Sequence, residues 1–150
     1  MPGILIADDN HAMRASLRTL LLREGWQLCG EASDGREAVE LARELKPDLV
    51  ILDLAMPFLD GLHAGAEIVK ADPTRPVVLY TLHASDVVEL EAKKAGIRKV
   101  LSKGADLRTF FACIRELIDA RKPSAPASPD WSREADAFPG EAGCDSAAAD

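Results

Sequence analysis

DLVILDLAMPFLDG, at residues 48–61, decides the fold of this 150-residue chain. The four apolar residues at 49–52 are typical of a strand that is buried on both faces, as in a parallel sheet covered by helices. Pro57 ends such a strand, and the Asp-Gly pair that closes the stretch predicts a turn. Asp53 is the last residue of the run, so it is expected at the carboxyl edge of the sheet, where open α/β folds bind ligands.

The same pattern occurs three more times along the chain. Further apolar runs lead into Asp8 and Asp9, into Thr81 and into Lys103. Each of these residues alone also fits a structural role, such as a helix N-cap or a surface residue. If the four runs are parallel strands, however, their ends bring together three carboxylates (with Asp53), one hydroxyl and one ammonium. That joint occurrence favours a functional site.

Segments with helical periodicity follow the strands. Apolar residues recur at helical spacing from about residues 13, 38, 62, 86 and 107. Residues 26–32 supply a weaker second strand. Five repeats of strand and helix predict an α/β fold, in which a five-stranded parallel sheet with right-handed crossovers carries helices on both faces.

The ordered set of strand-end residues resembles a known family, the CheY-like receiver domain of two-component response regulators. The resemblance covers about residues 3–120, and the residues that carry it are Asp8, Asp9, Asp53, Met56, Pro57, Thr81 and Lys103. It implies a doubly wound, flavodoxin-like (βα)5 sheet with strand order 2-1-3-4-5. Gly104, where many members have proline, is shared by receivers that usually precede helix-turn-helix domains. We therefore expect a single-domain relative of that branch.

A magnesium site is expected at the carboxylate cluster. Two unit charges 4 Å apart repel by roughly 4 kcal/mol at an effective dielectric of 20, so three clustered acids need a cation or a shared proton. Oxygen ligands of this kind suit Mg²⁺. By resemblance, Asp9 and Asp53 bind Mg²⁺ directly, Asp8 binds it through water, and the backbone carbonyl of Ala55 completes the set.

The resemblance also implies phosphoryl transfer to Asp53. The donor is a phosphohistidine on a histidine kinase or phosphotransfer protein, or a small molecule such as acetyl phosphate. Lys103 and Thr81 would bind the phosphoryl oxygens. The protein would then catalyse its own phosphorylation and dephosphorylation rather than turn over a substrate. Ala55 and His83 flank the expected position of the attacking water and are predicted to tune hydrolysis, in a direction that the sequence leaves open.

The chain departs from the family at the switch positions, Thr81 and Val100. Members usually carry an aromatic residue three positions before the lysine, and Val100 is too stiff at χ1 to make the same swing. This motivates an alternative, a pseudo-receiver that acts as a phosphorylation-independent interaction module. A third class, aspartate-dependent phosphohydrolases, usually places a second acid two residues after the nucleophile, where this chain has Ala55. Leu82 replaces the alanine that often follows the hydroxyl residue.

Composition limits the partners. The net charge of −7, without a Lys/Arg cluster, argues against direct binding of nucleic acid. No apolar stretch is long enough to span a bilayer, and no export signal is visible. Three cysteines without paired spacing suggest reduced thiols and a cytoplasmic protein. We expect a kinase or phosphotransfer protein as the upstream partner and an unidentified protein downstream.

Two regions are expected. Residues 1–121 form the receiver domain, and residues 122–150 form a disordered acidic tail rich in Pro, Ala and Ser. A docking segment that uses Trp131 and Phe138 is the alternative for the tail. Within the domain, the helix near 86–95 has two apolar faces, one with Val87 and Leu90 and the other with Val88, Ala92 and Ala95. Only one face can pack on the sheet, so the other is a candidate partner surface.

Overall fold

The computed structural model describes residues 3–82 and 84–121. Five strands alternate with five helices along the chain. In order they are β1 Gly3–Ala7, α1 His11–Arg23, β2 Gln27–Ala32, α2 Gly35–Leu45, β3 Leu49–Leu52, α3 Gly61–Ala71, β4 Val77–Thr81, α4 Asp86–Ala95, β5 Lys99–Ser102 and α5 Leu107–Arg121. The predicted (βα)5 pattern is confirmed.

The sheet is parallel throughout, with strand order β2-β1-β3-β4-β5. This is the predicted doubly wound topology. The order of strands reverses between β1 and β3, which pair from Ile4 with Leu49 to Ala7 with Leu52. Because these strands end in register, the residues that follow them meet at the same edge of the sheet.

Two apolar clusters cover the two faces of the sheet. β3 is completely buried, and its side chains alternate between the clusters, with Val50 and Leu52 on one face and Leu49 and Ile51 on the other. One cluster includes α2, α3 and Ala92 of α4, and the other includes residues of α1 and α5. A run of four apolar residues therefore forms a central strand because each face has a helical layer to pack against.

The predicted helix boundaries are largely correct, with one correction. Asp34 caps α2 by accepting from the Glu37 backbone N–H at 2.8 Å, as its spacing indicates. Gly96 ends α4 in the left-handed region, with φ of 88°. The Asp-Gly pair at residues 60–61 is not a free turn, because Asp60 is the N-cap of α3 and accepts from the His63 backbone N–H at 2.9 Å.

Helix α4 packs with one face and exposes the other. Ala92 is buried and Val88 packs against the same core cluster, whereas Val87 and Leu90 are exposed. In the described part of the chain, no helix has the length and apolar character needed to cross a membrane.

The described chain lies almost entirely in one compact unit, which ends at Ile118. Of the second unit, only residues 119–121 at the end of α5 are described. The boundary predicted after residue 121, the acidic tail and the candidate docking residues Trp131 and Phe138 concern residues outside the described ranges. They remain predictions.

Candidate functional site

A cavity opens at the carboxyl edge of the sheet, where the sequence predicted a site. Its volume is about 250 Å³. The residues that line it follow β1, β3, β4 and β5, and they are Asp8, Asp9, Asn10, Asp53, Ala55, Leu82 and Lys103. Thr81 lies at the end of β4, completely buried, one residue before Leu82.

The three predicted acids come together in this cavity. One carboxylate oxygen from each of Asp8, Asp9 and Asp53 lies within 4.8 Å of the others. Asp8 and Asp53 are only 2 % and 8 % exposed, while Asp9 is open to solvent. Clustered oxygen ligands that keep one side open to water can hold a hard divalent cation, and Mg²⁺ retains several waters in such sites. The residues present therefore fit a magnesium ion.

Lys103 places a buried positive charge among these acids. Its Nζ donates to Asp8 Oδ2 at 2.8 Å and lies 3.3 Å from Asp53 Oδ1. Burial alone would lower the pKa of this ammonium group, but hydrogen bonds to Asp8 and the charges of both carboxylates outweigh it, and the pKa of Lys103 is raised. The ammonium group therefore stays charged at neutral pH.

The surroundings of Asp53 disfavour the ionised form of its carboxyl group. Its pKa is raised, first by burial and then by repulsion from Asp8, and the nearby Lys103 offsets only part of this. A carboxylate whose ionised form is unfavourable is stabilised by a nearby cation, or by a reaction that transfers its negative charge to another group. Asp53 thus has the electrostatic character of a reactive group.

Backbone hydrogen bonds between strand ends hold the site in place. The Asp53 N–H donates to the Ala7 carbonyl at 2.9 Å, and the Lys103 N–H donates to the Thr81 carbonyl at 2.9 Å. The backbone of Asp53 and that of Lys103 are therefore each held by the neighbouring strand.

Close packing against α3 constrains the backbone of Asp53. A Cβ atom at Gly61 would lie 2.3 Å from the Asp53 carbonyl oxygen and 2.8 Å from Leu79 Cδ2. Only glycine permits this approach. The Gly61 N–H also donates to the Leu54 carbonyl at 2.9 Å, so the start of α3 closes the loop that begins at Asp53.

One of the remaining predicted positions, Val100, lies away from the acidic cavity. Val100 is half-buried in β5, where it pairs with Leu79, and it lines a separate groove between α4 and β5 of about 450 Å³. Ala55 lines the acidic cavity, as expected of a residue near the attacking water. His83 lies outside the described residues, so its predicted role in hydrolysis remains a prediction.

Asn10 at the site, and Phe58 in the loop that follows Asp53, were not singled out from the sequence. Asn10 lines the cavity and caps α1 by accepting from the Met13 N–H at 3.1 Å, and its residue type before a helical segment was an available signal. Phe58, in the loop between β3 and α3, has φ of 69° and is 81 % exposed. No sequence signal points to this conformation, because phenylalanine disfavours it.

Comparison with known proteins identifies the family of this chain. A family model described as the response regulator receiver domain matches residues 4–115. The chemotaxis protein CheY of Thermotoga maritima is 39% identical over 100 residues, which cover 67% of this chain and 83% of CheY. The transcriptional regulatory protein PdtaR of Mycobacterium tuberculosis is 45% identical over 111 residues, 74% of this chain and 54% of PdtaR.

A third relative and a solved structure extend the comparison. The response regulator GacA of Pseudomonas aeruginosa is 32% identical over 127 residues, 84% of this chain and 59% of GacA. The chain thus spans little more than half the length of GacA and of PdtaR. The crystal structure of a LuxR-family two-component response regulator from Aurantimonas sp. matches with a TM-score of 0.77 and 29% identity, covering 84% of this chain and 91% of that one. The chain belongs to the response regulator receiver domain family of two-component signalling.

Proposed function

We propose that this receiver accepts a phosphoryl group on Asp53 and signals through protein contacts. The observation that carries the proposal is the pairing of a buried, costly carboxylate at Asp53 with a fixed ammonium at Lys103, 3.3 Å away, beside Asp8 and Asp9. Asp53 thus supplies a nucleophile and Lys103 a positive charge that can bind the transferred phosphoryl group. The three acids together supply the ligands for a cation.

In the proposed reaction, a carboxylate oxygen of Asp53 attacks the phosphorus atom of a phosphohistidine or of acetyl phosphate. A phosphorus–oxygen bond to Asp53 forms, and the bond to the donor nitrogen or oxygen breaks with its electron pair leaving on the donor. The product is an acyl phosphate. The charge of the Asp53 carboxylate moves onto phosphoryl oxygens, where Lys103 and the Thr81 hydroxyl would stabilise it.

Asp9, Asp53 and the Ala55 carbonyl would hold a Mg²⁺ ion, with Asp8 contributing through water, and the ion would supply positive charge that screens the acids from an anionic donor. The chain's own residues supply the rest. Asp8 holds the Lys103 ammonium in place at 2.8 Å, and Asp53 presents the attacking oxygen. Leu82 and Ala55 line the same cavity.

The partners follow from the chemistry. Receiver domains interact with histidine kinases or phosphotransfer proteins, and we propose one of these as the donor here. A downstream protein, rather than nucleic acid, would read the phosphorylated state, in keeping with the net charge of −7. A cytoplasmic location stays a prediction from the unpaired thiols.

Intact-protein mass after incubation with acetyl phosphate and Mg²⁺ tests this proposal. We expect one added phosphoryl group on the wild type and none on Asp53→Asn or in the presence of EDTA. Asp34→Asn is the matched control, because asparagine caps a helix as well as aspartate does and this residue caps α2 away from the cavity. It should be phosphorylated like the wild type.

Two results would contradict the proposal. One is an adduct that persists in Asp53→Asn or without metal. The other is no adduct on the wild type with acetyl phosphate or with phosphoramidate as donor.

A further inference from the structure

Every polar atom of Asp8, in the backbone and in the side chain, has a hydrogen-bond partner. Its backbone N–H donates to the Ala32 carbonyl at 3.1 Å. Its carboxylate accepts from the Asn10 N–H at 2.8 Å and from the Lys103 ammonium at 2.8 Å. Its backbone carbonyl accepts a hydrogen bond from the guanidinium of Arg14, a residue that sequence analysis did not single out.

Arg14 is itself anchored to the neighbouring strand. It lies in the first turn of α1 with only 15 % of its side chain exposed, and its Nε is 3.4 Å from Glu31 Oε1. Glu31 lies in β2 directly before Ala32, which accepts the Asp8 N–H. Two consecutive residues of β2 therefore hold Asp8, one directly and one through Arg14.

The Asp8 carbonyl matters because it belongs to the peptide unit that joins Asp8 to Asp9. A peptide unit is planar and rigid, so a fixed carbonyl sets the orientation of the whole plane. The side chains of both acids start from the two ends of this plane. A hydrogen bond from Arg14 thereby limits where both carboxylates can point.

We infer that Arg14, anchored by Glu31, is a positioning residue that orients Asp8 and Asp9 for binding Mg²⁺. This inference rests on the proposed function of the acidic cavity. Groups that orient metal ligands without touching the metal typically change its affinity by about 10- to 100-fold when removed. The geometry assigns Arg14 to that kind of role.

The direction in which Mg²⁺ affinity changes when Arg14 is replaced distinguishes a positioning role from a purely electrostatic one. Arg14 is a cation beside an acidic cluster, so its charge alone opposes the binding of a second cation. Removing the charge would then tighten Mg²⁺ binding. Loss of positioning has the opposite effect.

Arg18 provides a matched control for Arg14. It lies one turn further along α1 and pairs with the other oxygen of the same Glu31 carboxylate. The Arg18 guanidinium donates to Glu31, whereas the Arg14 guanidinium donates to the Asp8 carbonyl. Replacing either arginine by alanine removes one positive charge and one partner of Glu31, but only Arg14→Ala releases the Asp8 carbonyl.

Calorimetric titration of the full chain with Mg²⁺, without any phosphodonor, tests the inference. We expect Arg14→Ala to bind Mg²⁺ about tenfold more weakly than the wild type and Arg18→Ala to bind it equally well or more tightly. Arg14→Lys keeps the charge but lacks the fork that reaches two partners, so it should also bind more weakly. Metal-free ¹H–¹⁵N spectra should show the Asp9 amide displaced in Arg14→Ala and unchanged in Arg18→Ala.

The possible outcomes are distinguishable. Arg14→Ala that binds Mg²⁺ as tightly as the wild type, or equal weakening in both alanine variants, overturns the inference and leaves the proposed function intact. A wild type that binds no Mg²⁺ overturns the proposed function and the inference with it. If Arg14→Ala does not fold, Arg14→Lys tests the inference instead. Wild-type affinity of that variant for Mg²⁺ would overturn the inference.

Discussion

At the scale of single residues, the site is a balance between two acids and one ammonium. Lys103 is within hydrogen-bonding distance of Asp8 and close to Asp53, so one positive charge serves two buried negative charges. The third acid, Asp9, is exposed and adds further negative potential. Burial is the first cause of the raised pKa of Asp53, and repulsion from Asp8 and Asp9 adds to it, while Lys103 offsets only part of the rise.

This balance predicts how stability depends on pH. Because the pKa of Asp53 is higher in the folded chain than its ordinary value, protonation of Asp53 stabilises the fold. That contribution is fully present below the unfolded pKa and is lost as pH rises through the folded pKa. The ionised carboxylate thus costs stability at neutral pH.

We expect Asp53→Asn to raise the metal-free free energy of unfolding at pH 7 by about 1 kcal/mol. The difference should shrink as the pH falls toward the ordinary pKa of aspartate. Excess Mg²⁺ should reverse it, since tenfold Mg²⁺ over its dissociation constant stabilises the wild type by about 1.4 kcal/mol. Urea unfolding across this pH range measures both effects. Asp106→Asn, an exposed acid before α5, should show no gain, and an equal gain there would refute the argument.

At the scale of elements, the strand ends and the helix starts were predictable and the loops between them were not. Apolar runs ending in polar residues located β1, β3, β4 and β5, because a buried parallel strand needs apolar residues on both faces. The clustering of Asp8, Asp9 and Asp53 followed from that. Contacts between residues far apart in the sequence leave no comparable pattern in the sequence.

Arg14 and Phe58 show why. Arg14 contacts a backbone carbonyl six residues earlier, and backbone groups carry no sequence signature. Phe58 adopts a left-handed conformation in the loop between β3 and α3. The pairing of Lys103 with Asp8 was not predictable either. The family resemblance implied that Lys103 binds the phosphoryl group, but it did not indicate which carboxylate the lysine contacts.

The loop between β3 and α3 carries the second prediction. Left-handed φ costs an ordinary residue about 1 to 2 kcal/mol, and the exposed ring of Phe58 recovers little of that by burial. We expect Phe58→Gly to be more stable than Phe58→Ala by about 1 kcal/mol, although glycine loses more entropy on folding. Alanine is the matched comparison, because it removes the ring and keeps the Cβ atom that causes the strain.

Urea unfolding at fixed pH measures this difference. Equal stability of the two variants, or a more stable alanine variant, would show that the loop relaxes away from the left-handed region at little cost.

At the scale of the whole molecule, the question is how a charge change at the cavity reaches a partner surface. β4 and β5 are the direct connection, since Thr81 pairs with Ser102, and the Thr81 carbonyl accepts the Lys103 N–H. Two residues earlier, Leu79 pairs with Val100, which lines the groove between β5 and α4. The exposed face of α4, with Val87 and Leu90, lies beyond that groove on the same helix.

The last prediction concerns whether this connection works without an aromatic residue at position 100. We expect BeF₃⁻ with Mg²⁺, which mimics the phosphoryl group, to shift amide resonances of β4, β5 and α4 as well as those lining the cavity. The physical reason is that Thr81 and Lys103 share a backbone hydrogen bond, so a movement of either residue toward the ligand displaces both strands. The ¹H–¹⁵N spectrum of the full chain measures this. Thr81→Ala is the matched control, because it keeps the acids and Lys103 but removes the hydroxyl, and its shifts should stay near the cavity. Wild-type shifts confined to the cavity residues would instead favour a pseudo-receiver, in which Val100 leaves the phosphoryl pocket uncoupled from α4.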